Sequence, residues 1–425
     1  MRRVYLDNAA TSFPKPPGVF DAMLAYGRGV GASPGRGQYA ESREGARVIR
    51  ECRERINRLI GGESAAHVVF TLNTTDALNL AIKGVVRGAR LRGVAHGSIR
   101  LVTTAMDHNS VLRPFQALAD EGVRIDHVPA APDTGLVDPA DVARVLDDGP
   151  RPLLLAANMA SNVGGSIQDV ARFGELCRAR GVLFLVDAAQ ALGHLPVGVQ
   201  SLHADLLAFP GHKGLLGPQG TGGLYIRPAI EEQLATTREG GTGSWSESDD
   251  HPSSMPERFE AGSHNTIGIA GLSAAVAWLH ERGLDAIRTH ELALIDRTLE
   301  GLRDLGVRHA SWPERDAPGA SFRLLGPPEA SQRVGVFTLV HDELDPAEIA
   351  GVLEARFGLL VRAGLTCAPG AHRTFGTLER AGGVRFSYGP FVTEADVDAL
   401  LAALAQIAAS ASGASFDPPR AARTA

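Results

Sequence analysis

Short apolar runs alternate with amphipathic stretches through the middle of this chain, a pattern that commits it to a mostly parallel sheet with helices packed against it. The runs at residues 68–72, 99–104, 124–128, 153–157, 182–186, 206–209 and 223–226 predict seven strands. The stretches at 75–87, 110–120, 139–146 and 169–180 predict helices that return the chain from one strand to the next. Ahead of this block, an Arg/Glu-rich helix is expected over 41–60, with Ala46, Ile49, Ile56 and Leu59 along it. The predicted fold class is therefore α/β. In such a sheet a ligand sits outside the carboxyl ends of the strands.

The pattern changes at Asn265. Helices over 267–281 and 285–305 lead into short strands near 321–325, 335–340, 359–362 and 384–387, with further helices at 346–357 and 394–409. This reads as a smaller C-terminal α+β domain, residues 265–409, behind a large domain of residues 1–264. The Ala/Ser/Pro-rich residues 410–425 read as a disordered tail. A Gly-rich polar stretch at 239–256 is too long for an idle connection, and such loops inside compact enzymes are often functional.

At 425 residues the chain has ample length for two domains. Apolar residues at 44% and charged residues at 21% describe a water-soluble globular protein. A formal charge of −6, with no long basic run, argues against nucleic acid as a partner. No uninterrupted apolar run reaches the length of a membrane span. Three cysteines, an odd number, argue against a disulfide framework. With no apolar stretch behind Arg2 and Arg3, the expected location is the cytoplasm.

Lysine is scarce: Lys15, Lys83 and Lys213 are the only three among 42 basic residues. Lys213 follows an apolar strand and lies in Gly211-His212-Lys213-Gly214-Leu215-Leu216-Gly217. A desolvated ammonium there would have a lowered pKa, the state needed for Schiff-base formation. A glycine-rich loop with a lysine could also cradle phosphate. The nucleotide pattern G-x-x-x-x-G-K-[ST] is not met, however, because His212 precedes and Gly214 follows the lysine.

One strand earlier, five apolar residues run into Asp187. A carboxylate delivered to a buried strand end either caps the next helix or meets a positive group. An amine nucleophile and an acid at neighbouring strand ends suggest pyridoxal 5′-phosphate, which takes a lysine on its aldehyde and an aspartate at its ring nitrogen. Asn73-Thr74-Thr75-Asp76, between a strand and a helix, supplies the anion site its phosphate would need. Read alone, that segment is also an ordinary helix cap.

With these segments the chain resembles the aminotransferase class V family, within the cysteine desulfurase and selenocysteine lyase group. The matching segments begin with Tyr5-Leu6-Asp7-Asn8-Ala9-Ala10-Thr11, Asn73-Thr74-Thr75, Asp107-His108 and Ser161-Asn162-Val163-Gly164-Gly165. They continue through Asp187-Ala188-Ala189-Gln190, Gly211-His212-Lys213, Gly240-Gly241-Thr242-Gly243-Ser244 and Phe259-Glu260-Ala261-Gly262-Ser263-His264-Asn265-Thr266. Arg362-Ala363-Gly364-Leu365-Thr366-Cys367 and Arg385-Phe386-Ser387 close the series.

The resemblance implies fold type I of the pyridoxal-phosphate-dependent transferases: a large domain with a mostly parallel seven-stranded sheet and a smaller C-terminal α+β domain. The N-terminal residues 1–17 are expected to pack with the small domain. It also implies roles. Lys213 holds the cofactor, Asp187 anchors its ring nitrogen, and His108 stacks on the ring. Asn162 and Gln190 address its phenolic oxygen and the substrate side. Asn73, Thr74, Thr75 and His212 serve the phosphate. Thr266 reaches the phosphate of a second subunit, which makes the protein a homodimer. Arg385, with help from Arg362, clamps the substrate carboxylate, a task suited to a guanidinium.

Cys367 decides the reaction type. Cys52 and Cys177 fall in helical patterns as packing thiols. Cys367 lies in a loop without apolar periodicity, and it matches the family's persulfide-carrying nucleophile. The implied activity removes sulfur from L-cysteine to give alanine and a persulfide for an acceptor thiol or protein; a selenocysteine lyase, which takes selenium from L-selenocysteine, is the first alternative. Another class V reaction (C–S lyase, epimerase, aminotransferase) and a non-catalytic scaffold are the others. Three residues depart from the family pattern: Pro210 replaces a hydroxyl beside the phosphate, Thr366 a histidine before the nucleophile, and Val392 an asparagine after Arg385.

Overall fold

The computed structural model describes residues 2–35 and 37–411. Strand β1 (Val4–Tyr5) opens the chain. The large sheet holds β2 (Val68–Thr71), β3 (Arg100–Thr104), β4 (Arg124–Val128), β5 (Leu154–Asn158), β6 (Leu183–Asp187), β7 (Leu206–Pro210) and β8 (Gly222–Ile226). Its order is β2-β8-β7-β6-β5-β3-β4, parallel except for β8, which runs antiparallel to both of its neighbours. The inner strands β5, β6 and β7 are buried at every residue, because helices cover both faces. Edge strand β4 instead carries Arg124, Asp126 and His127, charges and polar groups that discourage pairing by another chain.

A second sheet, order β12-β13-β10-β9, is built from β9 (Phe322–Leu325), β10 (Val336–His341), β12 (Arg362–Gly364) and β13 (Gly383–Ser387), all antiparallel. Phe337, Phe386 and Tyr388 pack in its core with Leu339, Leu353 and Leu400. The single strand expected at 359–362 is two. β11 (Leu359–Leu360) pairs with β1 in parallel, and the chain then crosses Val361 to join β13 as β12. The apolar pattern is continuous through this crossing, so periodicity alone does not reveal the change of sheet.

The expected division after residue 264 does not follow the packing. Helix Thr266–Arg282 places Ile269, Leu272, Val276 and Leu279 in the same core as Ile49, Cys52 and Ile56 of helix Ala40–Ile60. What changes at Asn265 is a helix start: its side chain accepts from Gly268 N at 3.0 Å. The last helix, Glu394–Ala411, includes residues 410 and 411, and the remainder of the expected tail, 412–425, lies outside the described residues. Between Gln233 and Glu257 no helix or strand forms, as the polar composition of 239–256 anticipates.

The N-terminal segment touches both bodies. Leu6 N donates to Leu360 O at 2.9 Å, and Ser387 N to Leu6 O at 2.7 Å. A few residues on, Thr11 and Ser12 reach the loop that carries Lys213. Residues distant in sequence thereby meet at one end of the large sheet.

Candidate active site

The carboxyl ends of the parallel strands open into a cleft of about 540 Å³. Asn73, Thr74, Thr75, His108, Asn162, Asp187, Gln190, His212 and Lys213 all line it. Thr266 does not. It lies at the start of helix Thr266–Arg282, with its hydroxyl 3.4 Å from His264 O.

Asp187 ends β6, opposite Asn158 of β5 and Ala208 of β7. It is 4% exposed, and Ala189 N donates to its Oδ1 at 2.9 Å. Burial raises its pKa, against the opposing pull of that hydrogen bond and of the Lys213 charge. Lys213 stands on the turn after β7. Burial lowers its amine to about 8, with Asp187 raising it and the Arg385 and Arg362 charges lowering it further. The sign of a substitution follows. Asp187→Asn removes an anion that favours the ammonium, so the pKa of Lys213 falls below about 8. The pH dependence of amine labelling at Lys213, read by mass spectrometry of the cofactor-free protein, will shift to lower pH in the variant; an unchanged or higher midpoint would contradict this.

The Lys213 turn tolerates few alternatives. A Cβ at Gly211 would lie 2.1 Å from Thr221 Oγ1, and one at Gly214 2.2 Å from the Leu192 carbonyl. The carbonyl before the lysine is pinned by four donors: Ser12 N and Ser12 Oγ at 3.0 Å, Thr11 Oγ1 at 3.2 Å and Lys15 Nζ at 3.1 Å. The imidazole of His212 is held neutral at about 4 by burial and by the Lys213 and Lys15 charges, and its buried Nδ1 has no partner. His212 lines the cleft, and its orphaned nitrogen fits a ligand group that supplies the missing bond.

His108 caps helix Asn109–Asp120, its Nδ1 accepting from Ser110 N at 3.1 Å. Ser110 Oγ lies 2.8 Å from that same nitrogen and 2.9 Å from Thr75 Oγ1. Since Nδ1 already accepts, the hydroxyls relay from Thr75 through Ser110 to a neutral ring. Burial and nearby cations hold His108 down at about 4, consistent with that neutrality. Asp107 fixes the base of this segment. It accepts from Thr104 N at 2.7 Å and Asn158 N at 2.6 Å, joining the ends of β3 and β5. Helix Thr74–Leu91 starts at the cleft with Asn73 Oδ1 accepting from Asp76 N at 3.0 Å, which leaves first-turn N–H groups free for an anion.

Beyond the lining residues, Arg385 on β13 donates from Nη1 to Asn162 O at 3.1 Å and from Nη2 to Asp7 Oδ1 at 2.9 Å. It is 3% exposed and its Nε has no partner. Arg362 donates from Nη2 to Asp7 Oδ2 at 2.8 Å. Cys367 is exposed, whereas Cys52 and Cys177 are buried. Thr366 and Cys367 both adopt left-handed backbone, φ 44° and 60°, at a cost of about 1 kcal/mol each for residues other than glycine. Two bonds hold that conformation: Asn162 Nδ2 to Thr366 O at 2.5 Å, and Asn109 N to Cys367 O at 2.9 Å. Asn162 therefore ties the cleft to the cysteine loop.

Of the three departures, Pro210 is the buried last residue of β7, paired with Gly222 of β8. Thr366 Oγ1 lies 3.4 Å from His372 Nε2, so an imidazole from the next helical turn stands beside the position that lacks one. Val392 is buried in the core of the second sheet. Sequence reasoning missed Ser110 and the action of Asp107 and Asp7. Ser110 was signalled only by its place two residues after His108. Asp7 carried no local signal, because its partners lie more than 350 positions away.

The aminotransferase class-V family model matches residues 4–400. A probable cysteine desulfurase of Methanothermobacter thermautotrophicus is 32% identical over 407 residues, covering 95% of this chain and 94% of that protein. A cysteine desulfurase of Yersinia pseudotuberculosis is 32% identical over 409 residues, covering 95% and 93%. The apo structure of a cysteine desulfurase from Thermococcus onnurineus superposes with a TM-score of 0.84 at 31% identity, covering 96% and 95%. One from Escherichia coli superposes with a TM-score of 0.80 at 27% identity, covering 96% and 94%. The mixed α/β architecture, with its large mostly parallel sheet, is that of these structures and of fold type I. By the match over nearly its whole length, this chain belongs to the aminotransferase class V family.

Proposed function

We propose that the protein is a cysteine desulfurase, a sulfurtransferase that takes sulfur from L-cysteine, releases L-alanine and carries the sulfur on Cys367. The observation that carries this reading is a half-buried lysine, its amine lowered to about 8, sharing a cleft with a buried acid, while an exposed thiol hangs on a loop tied to that cleft through Asn162. Family membership implies pyridoxal 5′-phosphate, and the residues present fit it. Asp187 suits the ring nitrogen, the flat neutral ring of His108 a stacking face, and the hydroxyls and first-turn N–H groups near Thr75 the phosphate. The unpartnered Nδ1 of His212 suits another polar atom of the group.

Bound through Lys213, the cofactor supplies an electron sink that makes loss of the Cα proton and cleavage of the C–S bond accessible. The chain's own residues do the rest. Arg385, with Arg362 beside it, receives the substrate carboxylate and fixes which bond faces the sink. Lys213, its free amine lowered to about 8, takes the Cα proton. The Cys367 thiolate attacks the substrate sulfur. A sulfur–sulfur bond forms, the Cβ–S bond breaks, and its electron pair stays with carbon; one proton taken up at Cβ and one returned at Cα then give alanine. A second thiol then accepts the sulfur from Cys367. For that delivery the loop must leave the cleft, releasing the bonds from Asn162 and Asn109.

The reading extends to a homodimer in which Thr266 serves the neighbouring subunit's phosphate. Exposed Ile267 beside Thr266, with Leu72, Phe13 and Phe20 also exposed, supports a covered face. It extends also to the cytoplasm, where an exposed thiol such as Cys367 stays reduced. Incubation with L-cysteine under single-turnover conditions tests the activity. Alanine and protein-bound persulfide will appear in equal amounts; free sulfide with no persulfide would point to a lyase.

A further inference from the structure

Arg362 and Arg385 face each other across the β12–β13 ladder, directly opposite in register. Like charges at such a pair repel. Asp7 resolves the conflict. Its carboxylate takes Arg385 Nη2 at 2.9 Å, together with Arg362 Nη2 at 2.8 Å and Arg362 Nε at 3.1 Å. It is delivered from neither strand. Its segment is laid between them by the pairing of β1 with β11 and by the bridge of Asp7 to Ser387.

The two arginines differ in exposure. Arg362 reaches solvent, its side chain 47% exposed, while Arg385 is 3% exposed and, among the described residues, meets no other carboxylate. A guanidinium has five N–H donors. On Arg385, Asp7 takes one end and Asn162 O the other, while Nε is left unpaired. The plane is thus fixed at two points, one on the N-terminal segment and one on a residue that lines the cleft.

Resting on the desulfurase reading, we infer that Asp7 is the positioning residue of the substrate-carboxylate clamp, holding Arg385 in the one orientation from which it can receive an amino acid. Asp7 touches neither substrate nor cofactor in this assignment. It acts through Arg385, and it lets two cations converge on one carboxylate without repelling each other apart. The N-terminal segment thereby sets selectivity for a free carboxylate, although the bond-breaking residues all lie elsewhere.

The test compares L-cysteine with L-cysteine methyl ester, which has no free carboxylate, on the holoenzyme and on Asp7→Asn. KM for L-cysteine should rise about tenfold with kcat within about twofold, while kcat/KM for the ester stays level, so that preference for the acid falls about tenfold. Asp7→Glu, which keeps the charge, should return KM to within about threefold of the parent. In a crystal structure of the Asp7→Asn protein, Arg385 should have left Asn162 O, a readout that needs no turnover. An unchanged or lowered KM, an unchanged acid-over-ester preference, or an Arg385 that stays in place would each overturn the inference. A parent protein that forms no alanine from L-cysteine would overturn the proposed function instead, before any variant is compared.

Discussion

Replacing Lys213 by alanine will lower desulfuration by roughly a thousandfold or more, since both the covalent hold on the cofactor and the base for the Cα proton are lost. No neighbour can substitute. Lys15 also has its amine lowered to about 8 by burial, but it donates to Ser12 Oγ at 2.8 Å and to His212 O at 3.1 Å, outside the lining of the cleft. Lys83 belongs to the middle of helix Thr74–Leu91. The variant should still fold, because among the described residues the side chain of Lys213 makes no hydrogen bond that holds the loop. Glycine contacts and the pinned His212 carbonyl do that. Dialysed variant will lose the visible colour that the parent retains, measured by absorbance beside turnover. A coloured, active alanine variant would contradict the assignment.

Cys367→Ser is expected to cost about a hundredfold to a thousandfold in alanine formation from L-cysteine and to abolish the protein persulfide. An alcohol cannot take over, because the step requires a thiolate attacking sulfur. The other two cysteines cannot either. Burial pushes the Cys52 thiol up to about 12 and pushes Cys177 upward as well, so neither offers an accessible thiolate. Cofactor colour should remain, which separates this variant from that at Lys213. Mass spectrometry of the intact protein after one turnover reads the result: an added sulfur on the parent and none on the serine variant. Retention of full alanine and sulfide release would place the chemistry with a lyase that needs no protein thiol.

Much of this was legible from residue types whose chemistry is scarce in the chain. Lys213 stood out because arginine supplies nearly all other positive charge, and Asp187 because five apolar residues lead into it. The parallel sheet was legible from its buried strands, whose continuous apolar runs reflect cover on both faces. What stayed hidden is what long-range packing decides. The change of sheet at Val361 leaves no trace in the apolar pattern. Helix Thr266–Arg282 joins the large body because of what it packs on, and its own sequence is apolar nearly all round. Asp107 and Asp7 act by hydrogen bonds to strands and arginines brought close only by the fold. The same holds for the tie from Asn162 to the cysteine loop.

The proposed function stands or falls with capture of the cofactor by one amine, that of Lys213. Borohydride reduction of the purified holoprotein, followed by proteolysis and mass spectrometry, tests it directly. The reduced pyridoxyl group will be found on the peptide that contains Lys213 and on no other. An adduct on Lys15 or Lys83, or none at all, would contradict the account.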